Sequence, residues 1–180
     1  MFDFHTHRLD TPPGTGIVSL PQNFVLNPNS WQAAKGGLYA AGIHPWWTAD
    51  VDFQLDRYLQ ALRQLLDQPE VVQVGECGLD RLRGAELARQ VEVLEAQVEL
   101  SETYEKGMTL HVVRAFDVLL SVRKRLRPRQ TWTVHGFRGG AALARQLLAA
   151  GLDLSFGAVY NPEAFEITPE DRRRRESDSE

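Results

Sequence analysis

Cysteine is nearly absent. The 180 residues contain one, Cys77, so no disulfide framework within the chain is possible. Long apolar runs are missing as well, and none approaches the roughly 18 to 20 residues needed to span a bilayer. The start, Met1-Phe2-Asp3, lacks a basic region followed by an apolar core, so no signal peptide is expected and the cytoplasm is the default location. There is no surplus of positive charge. A formal net charge of −4 excludes nonspecific attraction to polyanions and leaves any nucleic-acid contact to a local basic patch. Repeats and low-complexity linkers are lacking, and nothing implies a membrane or protein partner. What remains has ordinary apolar and charged content and enough length for one cored domain over residues 1–180.

The stretch Phe2-Asp3-Phe4-His5-Thr6-His7 reads as a strand. Its period of two sends Phe2, Phe4 and Thr6 one way and Asp3, His5 and His7 the other. Further short strands are expected at 16–20 and 38–43, with irregular structure between them and one extended piece around Phe24 to Leu26. From residue 53 onward, strands alternate with amphipathic helices. Helices are expected at 53–66, 86–106 (ended by Gly107), 116–126 and 141–150 (ended by Gly151), and strands at 71–74, 108–113, 131–134 and 152–156. This alternation implies parallel strands in crossover units. The fold class is therefore α/β: a (β/α) barrel abbreviated to seven or eight strands, or else an open doubly wound sheet.

All five histidines fall in or at the ends of these strands. His5 and His7 end the first, His44 the third, His111 lies in the fifth and His135 ends the sixth, while Glu76 ends the fourth. Ligand-type residues gathered at strand ends favour the barrel, whose active sites collect on that face. Imidazoles converging from one strand suit a borderline divalent metal, and Glu76 adds a carboxylate able to bridge two. Arg81, Arg83, Arg114 and Arg138 follow motif ends and are candidates for a phosphate-binding rim. Arg81 and Arg138 lead, because each directly follows a motif carrying a candidate ligand. Trp46 and Trp47 either stack on a base or cover the mouth. Asp3 and Asp80 are candidates to fix ligand rotamers, and Cys77 reads as a small buried residue.

Asp3-Phe4-His5-Thr6-His7, Gly42-Ile43-His44-Pro45, Gly75-Glu76-Cys77-Gly78-Leu79-Asp80, His111 and His135-Gly136-Phe137 resemble, in order, the motifs of the TatD family of metal-dependent hydrolases. The resemblance implies a TIM barrel of the amidohydrolase type, two divalent ions (Mg, Mn or Zn), and deoxyribonuclease activity on the 3′ ends of DNA. Carried over by motif, His5 and His7 hold one metal, Glu76 bridges, and His111 and His135 complete the second. His44 faces the substrate. Glu176-Ser177-Asp178 stands where the family has an acid-Thr-Asp motif, which makes Asp178 a metal ligand and the general base.

The family carries an apolar run before that aspartate, whereas this chain has Arg172-Arg173-Arg174-Arg175. Parallel barrel strands are usually apolar on both faces. Residues 166–180 are therefore expected either as a frayed charged tail that removes Asp178 from the site or as an imperfect eighth strand near Arg174. Two further readings stay open: a hydrolase of a small amide, ester or lactone on the same barrel, and a catalytically impaired barrel that only binds metal.

Overall fold

The structure, a computed structural model, describes residues 2–179. Eight parallel strands follow one another in chain order: β1 (Asp3–Thr6), β2 (Gly16–Ser19), β3 (Leu38–Ala41), β4 (Val71–Asp80), β5 (Gly107–Val113), β6 (Trp132–Val134), β7 (Leu152–Phe156) and β8 (Arg173–Arg175). Six helices connect them: α1 (Gln22–Leu26), α2 (Leu55–Leu66), α3 (Leu87–Tyr104), α4 (Phe116–Leu126), α5 (Ala141–Ala149) and α6 (Pro162–Ile167). The order is that of a (β/α) barrel and excludes the doubly wound sheet, whose strand order reverses at a switch point.

The core lies between strands and helices. Val74, Leu79, Leu110, Val134 and Leu154 on the strands belong to one buried cluster with Leu62 and Leu65 of α2, Leu94 of α3, Leu119 of α4 and Leu147 of α5. Each such side chain contributes about 1.5–3 kcal/mol when fully buried. Cys77 is fully buried in this cluster, where burial pushes its thiol pKa up. The first three strands, joined without a long helix, share a smaller cluster of Phe4, Ile17 and Ala40.

Three local expectations need correction. Strand β4 continues to Asp80, so Glu76 lies inside it rather than at its end. Residues 24–26 are helical, not extended: the Val25 amide hydrogen-bonds to the Pro21 carbonyl, and Val25 is the one residue this turn buries fully. Gly107 does not end α3. Glu105 takes the left-handed conformation there, at φ 53°. Gly107 opens β5, where a Cβ would lie 2.9 Å from Gln73 Oε1 on the neighbouring strand.

The arginine run becomes a real strand. Residues 173–175 pair in parallel with Leu154, Ser155 and Phe156 of β7. Alternation resolves the apparent conflict with barrel chemistry. Arg172 and Arg174 share the carboxylate of Asp153, through Nε at 3.1 Å and Nη2 at 3.0 Å. Asp153 is the one charged residue on β7, with a side chain only 9% exposed. On the other face Arg173 and Arg175 lie over the ring of Phe165 at 4.1 and 4.2 Å, a cation–π contact on α6.

Beyond β8 the chain closes onto β1. The Asp178 amide donates to the His5 carbonyl at 3.0 Å, and the His7 amide to the Ser179 carbonyl at 2.9 Å. Ser177 binds both carboxylate oxygens of Asp3, through its amide (2.9 Å) and its hydroxyl (2.5 Å). Asp3 thus fixes the joint between first and last segments rather than an imidazole. Residues 2–179 do not end in a frayed tail.

Candidate metal centre

Every strand-end histidine converges on one carboxylate. His135 Nε2 lies 2.8 Å, His111 Nδ1 2.9 Å and His44 Nε2 3.1 Å from Glu76 Oε1. On the other oxygen, His5 Nε2 is 3.4 Å and His7 Nε2 3.5 Å from Glu76 Oε2. The close approach of the strands depends on glycine. At Gly78 (φ +140°) a Cβ would sit 2.0 Å from the His111 carbonyl oxygen, so no larger residue fits between β4 and β5.

Asp178 is in this site. Its Oδ1 lies 3.5 Å from His5 Nε2 and 3.6 Å from His7 Nε2, and those two nitrogens are 3.2 Å apart. Donors about 2.0–2.2 Å from a four-coordinate ion sit roughly 3.3–3.6 Å from one another. The spacing of His5, His7 and Asp178 therefore fits a divalent cation, with Glu76 Oε2 within 3.5 Å of both imidazoles. His5, Glu76 and His135, and His44, Glu76 and His111, form further groups with donor atoms mutually within 4.8 Å. Imidazole with carboxylate is the donor chemistry of zinc and its neighbours.

Three histidines are oriented from behind. The Trp46 amide donates to His44 Nδ1 at 3.2 Å, leaving the His44 proton on Nε2, toward Glu76. Asp80 Oδ2 faces His111 Nε2 at 3.1 Å and accepts from the Trp46 indole N–H at 2.7 Å. Glu176 Oε1 faces His135 Nδ1 at 3.3 Å and accepts from the Gly136 amide at 2.7 Å, while its Oε2 accepts from the Ser155 hydroxyl. A carboxylate behind a ligating histidine sets its tautomer and raises its basicity. Asp80 was legible in this role from sequence, but Glu176 was not singled out. The signal for it is period two along 172, 174, 176 and 178, which puts Glu176 on the Arg174 face of the last strand.

The electrostatics follow from crowding. Burial opposes the charge on Glu76, yet His135, His111 and His44 hold its carboxyl well below the usual range. Burial alone would lower the His135 imidazole. Glu76 and Glu176 outweigh it, and its pKa is raised to about 10. His7 and His44 are lowered, chiefly by burial.

A cavity of about 640 Å³ opens over the centre, lined by His7, His44, Glu76, His111, His135 and Asp178. Its walls add Leu20, Trp47, Phe116 and Phe137, with Arg114 and Arg138 among the polar lining. Arg81 is turned away: its guanidinium pairs with Asp117 at 3.1 Å and does not line the cavity. Trp46 is fixed by Asp80, and Arg83 covers its ring at 3.4 Å, so one indole face is already occupied.

Histidines around a shared carboxylate at the mouth of a parallel barrel are the donor arrangement of a scaffold for metal-dependent hydrolysis. Within that class the chain belongs to the TatD family: residues 16–179 match the family described as TatD related DNase. The Escherichia coli K12 protein named uncharacterized metal-dependent hydrolase YjjV is 34% identical over 126 residues, covering 68% of this chain and 48% of that protein. The Erwinia billingiae protein named 3′-5′ ssDNA/RNA exonuclease TatD is 32% identical over 149 residues, covering 77% and 56%. This chain thus spans about half the length of these curated relatives. The crystal structure of Escherichia coli YjjV superimposes with a TM-score of 0.77 at 26% identity, covering 99% of this chain and 78% of that one. A TatD family hydrolase from Entamoeba histolytica shares the fold at 21% identity and a TM-score of 0.71, covering 91% and 60%.

Proposed function

We propose that residues 1–180 form one divalent-metal-dependent phosphodiesterase domain that acts in the cytoplasm and removes nucleotides from a DNA 3′ end through a two-metal site. The observation that carries this reading is the single Glu76 carboxylate with five imidazoles within 3.5 Å. His5, His7 and Asp178 would hold one ion with Glu76 Oε2, and His111 and His135 a second with Oε1. Two such ions lower the pKa of a bound water and neutralise developing charge on phosphate oxygens.

The chain's own groups supply the rest. Asp178, 40% exposed and lining the cavity, takes the proton of the attacking water. His44 carries its proton on Nε2 and can pass that donor from Glu76 to a substrate phosphate oxygen. Arg138 and Arg114 steady the strand. Arg81 joins them only by releasing Asp117. The exonuclease name of the Erwinia relative supports a nucleic-acid substrate. No helix among the described residues is long and apolar enough to cross a membrane.

A second reading rests on the apolar walls. Leu20, Trp47, Phe116 and Phe137 suit a small amide, ester or lactone as well as a base. A 3′-labelled single-stranded oligonucleotide separates the two, incubated with and without Mg²⁺, Mn²⁺ or Zn²⁺, with Asp178→Asn alongside. Metal-dependent release of mononucleotides, abolished in the variant, is expected. An intact oligonucleotide in every lane, from protein that binds metal, would overturn the nuclease reading and leave the small-molecule hydrolase and the catalytically impaired metal-binding barrel.

A further inference from the structure

Two groups of the metal centre follow directly on a last strand built wholly of arginine. Glu176 and Asp178 lie one and three residues beyond β8, on the face of Arg172 and Arg174. Glu176 braces His135 on the Oε1 side of Glu76, and Asp178 approaches His5 and His7 on the Oε2 side. Both positions depend on the register of β8 against β7, where Ser155 pairs with Arg174 and also donates its hydroxyl to Glu176.

Apolar packing does not set that register from the Asp153 side, since a guanidinium cannot be left there without an acceptor. Asp153 is the carboxylate there: both its oxygens are used, Oδ1 by Arg172 and Oδ2 by Arg174. Arg172 also donates to the carbonyls of Leu148 and Leu152, which ties the start of the strand to the α5–β7 corner. On the opposite face the cation–π contacts with Phe165 and Tyr160 hold the strand against α6 but do not distinguish one arginine from the next. Four identical side chains in a row are a slippery register, and within the run it is the fixed acid that selects which pair points at it.

We infer that Asp153 is a positioning residue of the metal centre, acting through Arg172 and Arg174 to set the register of β8 and so to hold Glu176 and Asp178 at the two sides of Glu76. The inference rests on the metal-binding reading given above. It has a signature that loss of a ligand on one side alone cannot produce: disturbing Asp153, which touches neither side, weakens both metal-binding events together, because one segment serves both.

The test is titration of the metal-free full chain with Zn²⁺ and with Mn²⁺, followed by calorimetry well below the melting temperature. Asp153→Asn keeps the side-chain shape but removes the charge and turns an amide N–H₂ toward one of the two guanidiniums. Both binding events are expected to weaken at least about tenfold, the lower end for a group that orients ligands. Asp153→Glu, which restores the charge, is expected to recover part of the loss. A role in stability alone would lower the melting temperature and leave the affinities of the folded protein unchanged, and that result would overturn the inference. Should Asp153→Asn not fold, Arg174→Gln, which leaves the Arg172 pair in place, carries the test: weaker binding of both ions supports it and unchanged binding overturns it. Failure of the wild-type chain to bind either ion would remove the metal-binding reading itself, a result distinct from wild-type binding with unaffected variants.

Discussion

The two oxygens of Glu76 face differently built halves of one centre. Around Oε1, His44, His111 and His135 each have the remote ring nitrogen fixed, by the Trp46 amide, Asp80 and Glu176. Around Oε2, His5 Nδ1 is buried with no hydrogen-bond partner among the described residues, and the third group, Asp178, is 40% exposed at a left-handed φ of 48°. The Oε1 half is oriented before anything binds. The Oε2 half is brought together by chain closure and is the side on which a cation has more ordering to do. A metal site with braced ligands binds more tightly than one that must be assembled, so the two halves should fill in sequence, Oε1 first.

The largest blow to this contrast is Glu76→Gln. It removes the one charge common to both halves, and both metal-binding events should weaken by more than roughly 100-fold, beyond the usual cost of an outer partner. Oligonucleotide cleavage should disappear with them, and calorimetric titration reads the loss directly. Next come two single-sided changes. Asp178→Asn should abolish the weaker event and spare the tighter one, whereas Glu176→Gln should weaken the tighter event by about 10- to 100-fold and leave the stoichiometry at two. If Asp178→Asn weakens both equally, the halves are not independent.

The smallest effect is a slope with pH in the metal-stripped protein. His135 is raised to about 10 from its usual 6.5, so the folded state holds more protons than the unfolded one between those values. Its contribution to stability is complete below about pH 6.5 and falls away as pH rises toward 10. Glu176→Gln removes one of the two carboxylates responsible and should flatten that slope in thermal melts.

Much of this was legible in the sequence. The histidines could be read because each falls in or just beyond a short strand, and strand ends of a parallel barrel share one face. The helix over 116–126 was legible from its spacing, down to the end residues. The last strand was not. Four arginines outweighed every local cue, because their partners, Asp153 on β7 and Phe165 on α6, are set by pairing over a distance. Asp153, the one charged residue in the run Leu152–Phe156, was the available clue to a half-buried cation. Arg81 misled for the converse reason: adjacency to a motif says nothing about Asp117, which lies 36 residues on and captures it.

Closure of the barrel also dictates when the centre can exist. Thr6 and Ser179 meet across 173 residues of chain, and Asp3 and Ser177 across 174. Contacts of such separation carry the greatest loop-closure cost and form late. His5 and His7 have to wait for Asp178, on the far side of that separation. Metal bound earlier would meet only part of its donors, so the Oε2 half is completed as the final act of folding rather than serving as its nucleus.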